Sequence, residues 1–163
     1  NKKKMLPINR IREYQAEVKA TLLDAEAKPI FNYTNMIVDK PNLSVLLKER
    51  VEEENTYLIG VLPEFRFKGS EDNVKAVNIL SFFILNKTDY SEHDHDGFIN
   101  IFADTQAKAL AFVKRLLEDK SNFTGALCHF LNLLDENAIA VNPVWNMDGC
   151  NGWVIDINLD TVF

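Results

Sequence analysis

Residues 145–159 have the sequence WNMDGCNGWVIDINL, and this stretch decides the fold class. Apolar and polar residues alternate after its second tryptophan, which is the pattern of a strand with one buried face. The Asp-Gly and Asn-Gly steps supply residues that tolerate positive φ, as a tight hairpin loop requires. The stretch therefore predicts an antiparallel hairpin of strands 139–145 and 153–159. Its last strand should direct inward Trp153, Ile155, Ile157 and Leu159, and outward Asp156, Asn158 and Asp160.

Two further segments favour β-structure. Residues 56–67 are rich in β-forming side chains, and Pro63 within them indicates a strand edge or a bulge because proline cannot donate to a sheet ladder. Residues 74–85 are apolar on both faces, which is typical of a central strand. Residues 127–134 are interpreted as another strand. A polar loop at 86–97 and a short apolar run at 98–102 separate these segments.

Helical spacing is clearest in two places. The apolar stripe through Ile8, Ile11, Val18 and Leu22 predicts a helix over residues 7–28. A second helix is expected from a cap at Asp104 or Thr105 to about Leu117. Residues 30–54 are the least determined: a short strand near 31–38, a turn at 39–42, and a helix or a strand at 43–51.

Together these elements predict an α+β fold. We expect one domain over residues 1–163, with an N-terminal helix at 1–28 and a sheet-plus-helix core at 56–163. The core should be an antiparallel sheet of about 5–6 strands with two helices packed on one face. The second face of the sheet, apolar in places, would then require a neighbouring subunit to cover it.

The bulk composition excludes several classes of function. The chain has 163 residues, 47% of them hydrophobic and 26% charged, which is ordinary globular usage. Its net charge of −6 argues against direct nucleic-acid recognition, which needs clustered Lys and Arg. No apolar run is long enough for a membrane span. Nucleophile elbows, P-loops and dinucleotide fingerprints are also absent, so no catalytic residue and no cofactor are predicted.

Charge is distributed unevenly along the chain. Residues 1–28 hold seven basic and four acidic side chains, whereas no Lys or Arg follows Lys120. Chance and solubility would explain this pattern, and complementary faces in an assembly are the alternative. On the second reading the interface candidates are Arg10 and Arg12 at the basic end, and Asp156 and Asp160 at the acidic end. Trp145 and Trp153 join them because aromatic residues are enriched at interfaces, although they are more often core.

Histidine and cysteine residues give weaker indications. His93, His95 and Asp96 lie in the run Glu92-His-Asp-His-Asp96, where a His-x-His spacing could contribute two metal ligands. We interpret this run as a solvated loop, with metal binding as the alternative. His129 follows Cys128 in the expected strand, so the two side chains should point to opposite faces and cannot act as a base and nucleophile pair. A disulfide between Cys128 and Cys150 stays open.

The order of three segments resembles that of a known class of proteins. The segments are Tyr57 to Pro63, the run Phe102-Ala-Asp-Thr-Gln-Ala107 and the terminal Gly152-Trp-Val-Ile-Asp-Ile-Asn-Leu159. That class comprises small tail-completion, terminator or neck-type virion proteins of tailed phages and prophages, particularly those of Bacteroidetes hosts. The resemblance covers residues 56–163. It implies a ring-forming structural protein at the head–tail junction or tail tip, without catalytic residues.

The leading hypothesis is therefore a non-enzymatic assembly subunit of a phage neck or tail. It would form a homomeric ring, contact other virion structural proteins, be made in the host cytoplasm and reside in the virion. The alternative is a small intracellular metal- or ligand-binding domain that uses the loop from His93 to Asp96.

Overall fold

The computed structural model describes residues 5–70 and 73–162. Lys2, Lys3 and Lys4, which belong to the predicted basic end, lie outside the described residues. The described chain forms four α-helices: α1 (Ile8–Thr21), α2 (Lys40–Lys48), α3 (His95–Asn122) and the short α4 (Cys128–Leu131). It also forms six strands: β1 (Tyr33–Ile37), β2 (Tyr57–Val61), β3 (Glu64–Lys68), β4 (Lys75–Lys87), β5 (Ala140–Met147) and β6 (Cys150–Val162). The predicted α+β class is confirmed.

The strands form one open sheet in the order β1-β2-β4-β6-β5, with β3 also paired to β4. The predicted antiparallel pairing holds for every pair except β1 and β2, which are parallel. The purely antiparallel sheet was therefore wrong at this edge. The cause lies in residues 30–54, because Asp39 accepts a hydrogen bond from the Asn42 amide and caps α2, with Pro41 in its first turn. That helix carries the chain back to start β2 beside β1.

The hairpin and the central strand agree with the sequence. In the tight turn between β5 and β6, Asp148 and Gly149 have φ values of 50° and 76°, as the Asp-Gly step predicted. Strand β4 is buried on both faces and lies between β2 and β6. Pro63 marks the predicted irregularity: Gly60 pairs with Phe82 but Glu64 with Ile79, so the register shifts by one residue between β2 and β3.

Each face of the sheet has its own apolar cluster. The first face packs against α1, α3 and α4, around Tyr14, Phe82, Phe112 and the inward residues Ile155, Ile157 and Leu159. The prediction of two helices on one face is therefore confirmed for α1 and α3. The second face packs Ile37, Tyr57, Ile59, Phe83 and Leu85 beneath α2. Helix α2 thus packs on much of this apolar cluster from within the chain, so the expectation that a neighbouring subunit must bury the whole second face was wrong.

Three predicted elements have different bounds. Helix α1 ends at Thr21 and not near residue 28, because the Asp24 side chain accepts hydrogen bonds from the Glu26 and Lys28 amides and stabilises a loop there. Helix α3 runs from His95 to Asn122, so the predicted cap at Asp104 or Thr105 and the predicted end near Leu117 were both wrong. Its cap is Asp94, which shortens the polar loop at 86–97 and makes the apolar run at 98–102 helical. The third is the strand expected at 127–134, which is instead α4 and its flanking turns; the buried Leu127, Leu131 and Leu134 have the spacing of a helix.

Candidate interaction surfaces

The outward residues of β6, together with Ser81 of the paired strand β4, form the polar half of the second sheet face. We call this surface the acidic sheet face; its residues are Ser81, Asp156, Asn158 and Asp160. Asp156 and Asn158 are half-buried, Asp160 is exposed, and the Ser81 hydroxyl donates to Asp156 Oδ1 at 2.5 Å. Helix α2 packs against the apolar half of this face, so it does not cover the acidic sheet face. The acidic sheet face lies on the side of the sheet opposite α1 and α3.

An apolar groove adjoins the acidic sheet face. Its volume is about 310 Å³, and its lining consists of Ile37, Asp39, Lys40, Val61, Ser81 and Phe83. Ser81 belongs both to the groove and to the hydrogen bond with Asp156. The second sheet face therefore has an apolar groove next to carboxylate side chains.

The basic candidates lie on the other side of the molecule. Helix α1 buries Ile11, Tyr14 and Val18 on the first sheet face, and Arg10 and Arg12 are exposed on the two sides of this buried stripe. Arg12 also lines a cavity with Thr34 and Met36 of β1. Arg10 pairs with Glu13 at 2.9 Å, and both of these side chains are more than half exposed. Such an exposed pair contributes little to stability and is easily exchanged for another partner.

The two tryptophans have different environments. Trp153 is half-buried at the edge of the core and donates from Nε1 to the Phe102 carbonyl at 3.0 Å. Trp145 is 67% exposed, and its ring packs edge-on against Phe98, with centroids 4.7 Å apart. Of the two interface candidates, Trp145 is therefore the one that offers contact area to a partner.

Tyr90 extends the exposed surface around Trp145, because both rings contact Phe98. With Phe98 and Phe102 they form what we call the aromatic patch, in which Tyr90 is 41% exposed. Sequence reasoning identified Trp145 but missed the rest of the patch. The helical spacing of residues 95–102, where Phe98 and Phe102 are four apart, was the signal that could have found it.

The candidate metal ligands do not converge. His93, His95 and Asp96 are exposed, and α3 starts within this run because Asp94 caps it by accepting from the Gly97 amide at 2.7 Å. Across residues 5–70 and 73–162, no three His, Cys, Asp or Glu side chains come close enough together to hold a metal ion. The run therefore builds a helix start, and the structure gives the metal alternative no ligand set.

Both cysteines are free thiols. Cys150 is buried in the cluster on the second sheet face, whereas Cys128 lies on α4, against the first face. Because the sheet separates them, the disulfide left open by the sequence does not form. His129 lies on α4, not on a strand, and contacts the Phe123 ring.

A buried polar network joins α1 to the end of α3. Asp119 Oδ2 accepts from the Tyr14 hydroxyl and from Arg115 Nε, both at 2.8 Å, and Oδ1 accepts from the Thr124 hydroxyl at 2.7 Å. Burial, and then the hydrogen bond to Asp119, raise the pKa of Tyr14 well above its ordinary value. The network fixes the packing of the two helices and offers no free group for chemistry.

One of several clefts of similar size, of about 430 Å³, lies on the first sheet face, and we call it the Lys108 cleft. Its lining is Asp24, Pro29, Ile30, Asn32, Asn86, Asp104, Ala107 and Lys108. Lys108 Nζ donates to the hydroxyl of the buried Thr56, and burial lowers the pKa of Lys108, against the opposing charges of Asp104 and Asp24. Its residues come from three separate segments, 24–32, 86 and 104–108, so no local sequence pattern predicted it.

Among the described residues, no helix is long and apolar enough to cross a membrane. Comparison of the chain with protein-family models, with curated proteins and with solved structures finds no match. The fold and the surfaces described above are therefore the grounds for a functional conclusion.

Proposed function

We propose that the chain is a non-enzymatic assembly subunit that associates head to tail with copies of itself into a ring, as in the neck or tail of a tailed phage. The observation that carries the proposal is the placement of two charged surfaces. The acidic sheet face and the exposed arginines of α1 lie on opposite sides of the sheet. They cannot meet within one molecule, but they can meet between neighbours.

Opposed complementary surfaces favour one type of symmetry. An isologous dimer uses the same patch on both partners, whereas two different patches generate a head-to-tail contact that closes into a ring when the rotation permits. Charge complementarity steers the encounter and fixes the register of such a contact. No Lys or Arg follows Lys120, so β6 itself carries no cation. The register places Arg66 of β3 on the same face as Asp160, and Arg66 is paired there with Glu64 at 2.8 Å.

The apolar features suit the same contact. Ile8 is 44% exposed on α1, one turn before Arg12, and would accompany that arginine into a neighbour. The groove beside Asp156 is the apolar counterpart on the acidic side. Buried apolar anchors carry most of the energy of protein interfaces, while rim charges mainly set rate and specificity.

The aromatic patch supplies a separate surface for other virion proteins. Exposed Trp and Tyr side chains are enriched where proteins bind each other, and Trp145 rests on the ring of Phe98, which limits its freedom. On this proposal the protein is made in the host cytoplasm and resides in the virion. The resemblance of residues 56–163 to tail-completion and neck proteins supports that placement.

The test is the mass of the protein in solution and its presence in purified particles. Sedimentation should show an oligomer at high protein concentration that dissociates as salt rises, because salt screens exposed charges. The double variant Asp156→Asn with Asp160→Asn should weaken assembly. A matched control, Glu52→Gln with Glu53→Gln, removes two exposed carboxylates elsewhere and should not. A monomer at high concentration, together with absence from particles, would overturn the proposal.

A further inference from the structure

The Lys108 cleft has an ammonium group and a side-chain amide in one lining, at the end of the sheet. Strands β2 and β4 pair Tyr57 with Leu85, so the same register continued by one residue sets Thr56 opposite Asn86. The side chains of such opposite residues share one face. Lys108 reaches this point from α3 and donates to the Thr56 hydroxyl.

Each of the two groups has unused hydrogen-bonding capacity. Asn86 Oδ1 is buried without a hydrogen-bond partner in the described structure. A buried acceptor left unpaired is costly, and native proteins rarely leave one without a partner. Lys108 has three ammonium hydrogens, and one is directed at Thr56. None of the ion pairs formed by the described residues includes Lys108.

Carboxylates on the cleft wall narrow the class of ligand. Asp24 and Asp104 both line the cleft and both act on the charge of Lys108. A simple anion would satisfy the ammonium group but would be repelled by the two carboxylates. A simple cation would satisfy the carboxylates and Asn86 Oδ1 but would be repelled by Lys108. A molecule that carries both charges a short distance apart satisfies all of these groups.

We propose that the Lys108 cleft binds a small zwitterion of the amino-acid type. Its carboxylate accepts from Lys108 Nζ, and its ammonium group donates to Asn86 Oδ1 in the field of Asp24 and Asp104. The cleft volume of about 430 Å³ is at the small end of the usual range for ligand pockets, which suits a ligand of this size. This inference is independent of the assembly proposal, since it uses neither the acidic sheet face nor the arginines of α1.

The test uses the full chain and a panel of free amino acids at millimolar concentration: glycine, alanine, serine, glutamate and lysine. Binding is measured by titration calorimetry and by NMR shifts of the Asn86 side-chain amide. Acetate and methylamine, each with one of the two charges, serve as single-ended probes. At least one amino acid should bind, and about tenfold more tightly than either probe, because a hydrogen bond to a charged group is lost with each.

Two variants locate the site. Lys108→Met keeps the aliphatic stem and should weaken binding at least about tenfold, since it removes a charged hydrogen bond. Asn86→Asp places a carboxylate beside Lys108 and should abolish binding by forming an internal ion pair. Glu118→Gln, on the exposed side of α3, is the control and should leave affinity unchanged.

The proposal is overturned if no amino acid of the panel binds, which would leave only solvent in the cleft. It is also overturned if acetate binds as tightly as the amino acids. A third contradiction would be full affinity in either cleft variant. Should Lys108→Met fail to fold, the isosteric Asn86→Asp still decides the matter.

Discussion

Replacing Asp119 with alanine should lower the free energy of unfolding by about 3 kcal/mol, through loss of the network between α1 and α3. The fully buried Tyr14 hydroxyl loses its acceptor, and an unpaired buried donor costs about 1–3 kcal/mol. The Arg115 side chain is 19% exposed and keeps its bond to the Thr21 hydroxyl. Loss of the ion pair between Arg115 and Asp119 should therefore cost less than the about 3–5 kcal/mol typical of a broken buried pair.

Two companion variants make the prediction specific. Tyr14→Phe removes a donor but leaves Asp119 with two others, so it should cost about 1 kcal/mol. Glu118→Ala removes the neighbouring carboxylate, whose exposed side chain lies 3.7 Å from Lys114, and should change stability by less than about 0.5 kcal/mol. Urea unfolding with an unchanged m-value is the assay. A loss of unfolding free energy in Asp119→Ala no larger than that in Glu118→Ala would refute this prediction.

Two further predictions concern the hairpin and the thiols. Gly152→Ala should be far more destabilising than Gly149→Ala in thermal unfolding. A Cβ at Gly152 would lie 2.0 Å from the Ile84 carbonyl oxygen, whereas the atom nearest to a Cβ at Gly149 is 3.8 Å away. Equal losses of stability in the two variants would contradict this prediction. In the folded protein a thiol reagent should label Cys128 and spare Cys150, because burial raises the pKa of the Cys150 thiol to about 11. Because folding favours the neutral thiol of Cys150, its contribution to stability is complete below the ordinary pKa of 9.0 and is lost as the pH rises toward 11. Labelling of Cys150 at the rate of Cys128 would refute the burial of Cys150.

Elements fixed by short-range chemistry were predictable from the sequence. The Asp148-Gly149 turn needs positive φ at both residues, and Asp-Gly is among the few pairs that accept it. Pro63 could only mark an irregularity, since it has no N–H to donate. Strand β4 is apolar on both faces because it lies in the middle of the sheet, and its composition states this directly.

Elements that depend on period or on distant partners were less predictable. Leu127, Leu131 and Leu134 carry a helical period, but the segment is too short for periodicity to be decisive. Phe112 lies at the centre of the buried face of α3, against Phe82 and Phe31, and no residue near it in the sequence indicates these partners. The parallel pairing of β1 with β2 follows from the crossover through α2, which has no local signal.

Among the candidate surfaces, the acidic residues of β6 could be predicted from the sequence and the Lys108 cleft could not. The outward direction of Asp156 and Asp160 followed from the alternation along β6, and the structure confirms it. The Lys108 cleft could not be predicted, because Asp24, Asn86 and Lys108 are distant in the chain and are brought together only by tertiary packing.

Mixing two variants tests whether the protein associates head to tail through two different surfaces. Arg10→Gln with Arg12→Gln removes one surface, and Asp156→Asn with Asp160→Asn removes the other. Each variant alone should sediment as a monomer, because every contact needs both surfaces. An equal mixture retains one intact surface on each partner and should give a one-to-one dimer that cannot extend.

The matched control replaces cations outside the proposed contact, Lys28→Gln with Lys114→Gln, and should still form the wild-type oligomer. Mass measurement of the mixture by sedimentation decides between the outcomes. We expect the mass of a dimer in the mixture and of a monomer in each component. An unchanged wild-type oligomer in either component, or a mixture that stays monomeric while the wild type assembles, would contradict it.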